Sequence, residues 1–195
     1  MKSRKVIYTL CEAAMMVAIA LVLDYLKDVL PGQLPSGGSV FNINILPIVF
    51  FGIRHGAGWG ALTGLVFGGL TYLLGLNSMA IDWTTIICDY FLAFSLLGLG
   101  AGLFKGRKGA AYWGTLVGGT LQFLSSYFVG VFVWGIYMPE EFLGLTMTSP
   151  WFYSFLYNIL WAVPNILCTT IVFALLYRSS AMRKYLTGTD LKRFA

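Results

Sequence analysis

The sequence predicts an all-α integral membrane protein, a bundle of six transmembrane helices with a long first extracellular loop and both termini in the cytoplasm. Three observations carry that prediction. Of 195 residues, 58% are hydrophobic and 11% charged, whereas a soluble domain averages about 25% charged; with a mean hydropathy of +0.77, the chain has too little polar surface to wrap a globule in water. The apolar residues gather into six runs. The basic residues gather at alternate ends of those runs, and no composition break divides residues 1–195 into more than one domain.

Each element follows from the need for roughly 20 apolar residues to cross a bilayer as a helix. The runs are Val6 to Leu26, Ile43 to Ile53, Ala57 to Leu76, Trp83 to Phe104, Ala111 to Tyr137 and Phe152 to Tyr177. The first is not a cleavable signal, because it exceeds a signal core and ends in Asp24, Lys27 and Asp28. The second is short, contains Pro47 and follows "PGQLPSGGSVFNIN". It reads as a tilted or partly irregular span whose loop folds back over the bundle. Cys11, Cys88 and Cys168 lie inside apolar runs at unrelated spacings, which fits neither a disulfide framework nor a metal cluster. They read as buried thiols.

Orientation comes from lysine and arginine. Lys2, Arg4 and Lys5 precede the first helix; Arg54 lies between the second and third; Lys105, Arg107 and Lys108 lie between the fourth and fifth; Arg178, Arg183, Lys184, Lys192 and Arg193 follow the sixth. Only Lys27 falls on the other side. By the positive-inside rule both termini are cytoplasmic, and the net charge of +5 reflects topology rather than a nucleic-acid surface, which would need a basic face with interleaved aromatics.

Small residues predict how the helices pack. Gly60, Gly64 and Gly68 recur every fourth residue, as do Gly114 and Gly118, and Gly98, Gly100 and Gly102 thin the end of the fourth helix. Such stripes let backbones approach closely. Ala14 and Ala18 repeat the spacing on the first helix, facing either the bundle or a second membrane protein.

Depth then picks out candidate site residues. Asp89 lies about 10 Å below the outer start of the fourth helix at Asp82, at 1.5 Å per residue. An ionisable group there is expensive and usually faces a polar cavity. Ser125, Ser126, Trp134 and Tyr137 fall toward the outer end of the fifth helix, and Tyr153, Tyr157 and Asn158 occupy the first turns of the sixth. One acid, several rings and an amide at one depth suit a flat, polar, cationic ligand: rings stack and attract charge, the acid balances it, the amide orients. Plainer readings stand beside this one. Trp83, Tyr137 and Trp151 can serve as interfacial anchors, Asp89 can hold a tyrosine hydroxyl, Glu12 is expected to pair locally with a basic residue, and His55 is expected to be solvated beside Arg54.

The segments "CDYFLAF", "VGVFVWGIY.PE" and "SPWFYSFLYN", with a GGS-containing first loop and an Ala-xxx-Ala first helix, resemble the thiamine-specific S component of energy-coupling factor vitamin transporters over most of the chain. The resemblance implies a membrane protein that captures thiamine from outside and associates with a transmembrane coupling subunit and two cytoplasmic ATPases, in the cell membrane of a Gram-positive bacterium. It implies ligand contacts from Asp89 with Tyr90, from Trp134, and from Tyr153 with Asn158, and a docking surface that includes Ala14 and Ala18. Two positions depart from the family. Asp89 stands where the family usually has Glu, and Ser126 stands where it has His, which leaves thiamine itself, a precursor or an analogue as the expected ligand.

Two other classes compete with this reading. An enzyme would need an activated nucleophile and a base within reach, but the only histidine, His55, is expected at the opposite membrane face, and no HExxH or comparable metal pattern occurs. No catalysis, cofactor or metal is expected. An autonomous ion-coupled carrier for a small cationic or aromatic solute is the remaining alternative. It would usually need more intramembrane ionisable groups than Asp89. No GxxxxGK[ST] phosphate loop is present, so ATP-driven uptake requires partners.

Overall fold

The computed structural model describes residues 2–27, 29, 31–34, 37–76 and 82–186. Seven helices run in chain order through them: α1 (Lys2–Leu26), α2 (Ile45–His55), α3 (Ala57–Leu73), α4 (Trp83–Gly102), α5 (Ala110–Phe132), α6 (Pro150–Leu176) and α7 (Ser180–Leu186). A short antiparallel hairpin, β1 (Glu141–Phe142) with β2 (Leu145–Thr146), joins α5 to α6. Four helices, α1 from Arg4 onward, α4, α5 and α6, are long and apolar enough to cross a membrane. The other two expected spans are shorter: 11 residues in α2 and 17 in α3 give about 16 and 26 Å of helix, against a hydrocarbon core of about 30 Å. Asp28, which ends the first run, and Lys192 and Arg193, used above to orient the chain, lie outside the described residues.

Local chemistry explains the boundaries. α4 begins at Trp83 because Asp82 and Thr85 cap each other, the Thr85 amide donating to Asp82 Oδ1 at 2.8 Å and the Asp82 amide to Thr85 Oγ1 at 3.2 Å. Ser149 caps α6, accepting from the Phe152 amide at 3.3 Å, with Pro150 at the first helical position. α2 is regular despite Pro47, which sits in its first turn, where no intrahelical donor is lost. Gly56, at φ 100°, makes the turn that reverses α2 into α3. The fifth run does not stay α-helical to Tyr137. It breaks after Phe132 and closes as a 3-10 turn, Trp134–Tyr137, ending where Pro139 forces Met138 to an extended conformation.

Glycines set the spacing of the bundle, as their pattern predicts. A methyl at Gly64 would overlap the Phe94 carbonyl, one at Gly68 the Tyr90 carbonyl, and one at Gly60 the Gly98 carbonyl, so α3 and α4 touch backbone to backbone. Gly118 does the same for α5 against the Leu97 carbonyl of α4. Beside this contact lies the apolar core, in which Ile48, Ile53, Phe67, Leu97 and Phe173 are almost fully buried and α7 adds Leu186.

Two expectations are corrected at the α7 end of the bundle and a third is refined. Glu12 does pair with basic residues, but across elements rather than locally: its carboxylate meets Arg54 Nε at 2.6 Å, His55 Nε2 at 3.0 Å and the Tyr185 hydroxyl at 2.6 Å. His55 is not solvated but stacks on Phe51 at 4.4 Å between centroids, its side chain only 6% exposed. Arg54 is buried within α2 and lies over the Tyr185 ring, 3.7 Å from the centroid, while donating to the Tyr185 carbonyl. A buried guanidinium needs several such partners at once, and α1 supplies them through Glu12 and α7 through Tyr185. The thiols differ too: Cys11 is exposed on α1, and Cys88 and Cys168 are half-buried. Ala14 and Ala18 are exposed, so they face away from the bundle.

Candidate functional site

A cavity of about 550 Å³ opens between the end of α1, the segment leading into α2, and α4, α5 and α6. Asp89, Tyr90, Ser126, Trp134, Tyr153, Tyr157 and Asn158 all line it, whereas Ser125, also picked out by depth, does not: its hydroxyl donates to the Cys88 carbonyl at 2.9 Å.

Asp89 reaches the cavity from an irregular stretch of α4. Ile86–Leu92 is a π-helix, a wider turn that recurs at functional sites. Ser126 and Trp134 hydrogen-bond to the Asp89 side chain, whereas Asp89 Oδ1 is buried and has no partner among the described residues. Tyr90 is 6% exposed and packs edge-on against Tyr72 at 5.6 Å. On α6, Tyr153 and Tyr157 stand 6.0 Å apart, and Phe142 of the hairpin covers both, at 5.5 and 6.0 Å. The Asn158 amide is already engaged, Nδ2 donating to the Ser154 carbonyl at 2.9 Å and Oδ1 accepting from Trp161 Nε1 at 3.0 Å. It retains part of its capacity for a ligand, on Oδ1 above all. Trp83 is 79% exposed and does not line the cavity, nor does Trp151, whereas Tyr137 does so at the mouth.

The other wall was not anticipated. Asp24 and Lys27, read above only as the end of the first helix, form a buried ion pair at 3.1 Å and line the cavity. Asn42 and Asn44 donate to the same Asp24 oxygen at 3.0 and 2.8 Å. The segment from Gly37 to Asn44 folds over the bundle and is tied to α6: the Gly38 amide donates to the Tyr157 hydroxyl at 3.0 Å, the Asn42 amide to Asn165 Oδ1 at 2.8 Å, and Asn165 Nδ2 to the Ser39 carbonyl at 3.1 Å. Gln122 and Trp161 complete this set. Asn165 was legible: Ser154, Asn158, Trp161 and Asn165 stand at i, i+4, i+7 and i+11 on one helical face. Two carboxylates and one ammonium leave the lining a formal charge of −1, suited to a monocation.

The chain is similar to known proteins. The family model described as Thiamine transporter protein (Thia_YuaJ) matches residues 10–184. The thiamine transporter ThiT of Bacillus subtilis (strain 168) is 28% identical over 192 residues, spanning 92% of this chain and 95% of that protein. The solved structure of ThiT from Listeria monocytogenes superposes with a TM-score of 0.75 at 24% identity, covering 93% of this chain and 98% of that one, which shows a shared fold. With a match running through all seven helices and both walls of the cavity, the chain belongs to the thiamine transporter protein family.

Proposed function

We propose that this chain is the substrate-capturing S component of an energy-coupling factor transporter, binding thiamine or a close precursor or analogue for uptake. The observation that carries the reading is the cavity itself, where one acid without a full set of partners, a cluster of rings and several amides converge. Thiamine joins a permanently cationic thiazolium to a flat aminopyrimidine. Asp89 balances the charge, Trp134, Tyr153 and Tyr157 stack against the rings, and Tyr90, Ser126 and Asn158 hold polar edges. The chain has no phosphate loop of its own, so it works with a transmembrane coupling subunit and two ATPases, docked through Ala14 and Ala18. In this reading the protein is a single domain with six spans and cytoplasmic termini, without enzymatic activity, in the cell membrane of a bacterium. The relatives from Bacillus and Listeria favour a Gram-positive one.

Calorimetry of the purified chain with thiamine, its pyrimidine half and its thiazole half tests the ligand. Binding of thiamine more tightly than either half supports the reading, and failure of all three overturns it. The Asp24–Lys27 pair adds ionisable groups beside Asp89 and keeps an ion-coupled carrier as the second reading. Uptake by vesicles holding this chain without any ATPase module would select the carrier.

A further inference from the structure

We infer that Gln122 is a further ligand-binding residue of the cavity, whose side-chain amide reads the amine edge of the pyrimidine ring. This deepens the thiamine reading and rests on it. Five side-chain amides among the described residues line the cavity, those of Asn42, Asn44, Gln122, Asn158 and Asn165. The protein holds four of them. Asn42 and Asn44 donate to Asp24, Asn158 donates to the Ser154 carbonyl and accepts from Trp161, and Asn165 bridges the Asn42 amide and the Ser39 carbonyl. Gln122 alone has no hydrogen-bond partner for its amide among the described residues. It is also within reach of a ligand. Although the residue is 6% exposed, neither amide atom is sealed, unlike the partnerless hydroxyls of Thr71 and Thr169, so both still meet open space.

That open space is the cavity. Gln122, Ser126 and Gly130 line it at four-residue spacing, one strip of α5, and Gln122 lies about 6 Å along the helix from Ser126, farther from the mouth at Tyr137. An amide left unserved at such depth is costly, so its donor and its acceptor both call for a partner. A carboxamide presents an N–H donor and a carbonyl acceptor side by side. Its match is a ring nitrogen beside an exocyclic amine, the edge through which Gln pairs with adenine. The pyrimidine of thiamine carries that pair: the amine donates to Gln122 Oε1, and the ring nitrogen accepts from Nε2. A neutral amide suits this uncharged ring, and Asp89 remains the partner of the thiazolium charge.

Calorimetry of the wild type, Gln122→Met and Gln122→Leu with thiamine and with its analogue bearing hydrogen in place of the amine tests the assignment. Thiamine binding by the wild type is read first, and its absence sinks the thiamine reading, and this assignment with it, whatever the variants do. The wild type should bind thiamine about 5- to 150-fold more tightly than the analogue, the range for a bidentate amide contact. Gln122→Met keeps the length of the side chain without the amide, and Gln122→Leu repeats the test with a branched chain. In both, the preference for thiamine should disappear or reverse, since the amine is then buried without its acceptor. A preference that survives in the folded variants, or wild-type affinities for the two ligands within about twofold of each other, would overturn the assignment. Failure of both variants to fold would make Gln122 a packing residue and overturn it equally.

Discussion

Asp89→Asn isolates the charge of the cavity with little change in shape. In the wild type, Ser126 and Trp134 serve the Asp89 side chain, and among the described residues no cationic side chain pairs with it. A cationic ligand in the cavity that Asp89 lines therefore gains a partly buried charge partner. Replacing the carboxylate with an amide keeps an acceptor for Ser126 and Trp134 but removes the charge, at a cost of about 2–3 kcal/mol, or about 30- to 150-fold in affinity. Calorimetry with thiamine measures this, and thermal unfolding of the unliganded variant checks the fold. The unliganded variant should be no less stable than the wild type, since burying an unpaired carboxylate is itself unfavourable. Thiamine affinity within about twofold of the wild type would remove Asp89 from the site, and with it the argument that the cavity selects a cation.

Trp134→Ala should weaken thiamine by about 1–2 kcal/mol, or about 5- to 30-fold, and remove much of the ligand-induced quenching of tryptophan fluorescence. Trp59→Ala, outside the cavity, should change neither. Ala14→Trp with Ala18→Trp should leave thiamine binding by the isolated chain within about twofold, because both alanines are exposed, yet abolish ATP-dependent uptake by the assembled transporter; normal uptake would move the docking surface off α1. Gly64→Ala should lower the unfolding temperature through overlap with the Phe94 carbonyl, a destabilisation of about 1–3 kcal/mol. Gly58→Ala, which meets nothing within 4 Å, should raise it slightly, a stabilisation of about 0.5–1 kcal/mol.

The bundle was legible where one physical requirement dominates, and less so where partners come from far along the chain. Composition demanded a bilayer, and the starts of α3 and α4 fall where the apolar runs begin. α7 escaped notice because "SAMRKYL" has the look of a basic tail, and its partners Glu12 and Arg54 lie more than a hundred residues away. Distance along the chain also hid the surroundings of His55, whose partner Glu12 lies 43 residues away. In the cavity, the wall built from α4, α5 and α6 could be read by counting depth along helices. The wall built from Asp24, Asn42 and Asn44 could not, since an irregular segment has no period to show which side chains converge.

The π-helical stretch joins two features that looked separate in the sequence. At Ile86–Leu92 the Ala93 amide donates to the Cys88 carbonyl, five residues back, so the turn is wider than the constant α-helical rise assumed for placing Asp89. A widened turn needs neighbours that can accept its bulge. α3 accepts it with Gly68, whose missing side chain leaves room for the Tyr90 carbonyl. α5 supports the other side with Ser125, whose hydroxyl donates to the Cys88 carbonyl at 2.9 Å. Asp89 and Tyr90 are thus aimed by backbone held between a glycine and a serine. Any residue larger than glycine at position 68 would push the π turn toward the cavity, so the stripe that packs α3 against α4 also sets the direction of the acid. Helix packing and the placement of Asp89 are therefore coupled, through the backbone contact at Gly68 and the Ser125 hydroxyl.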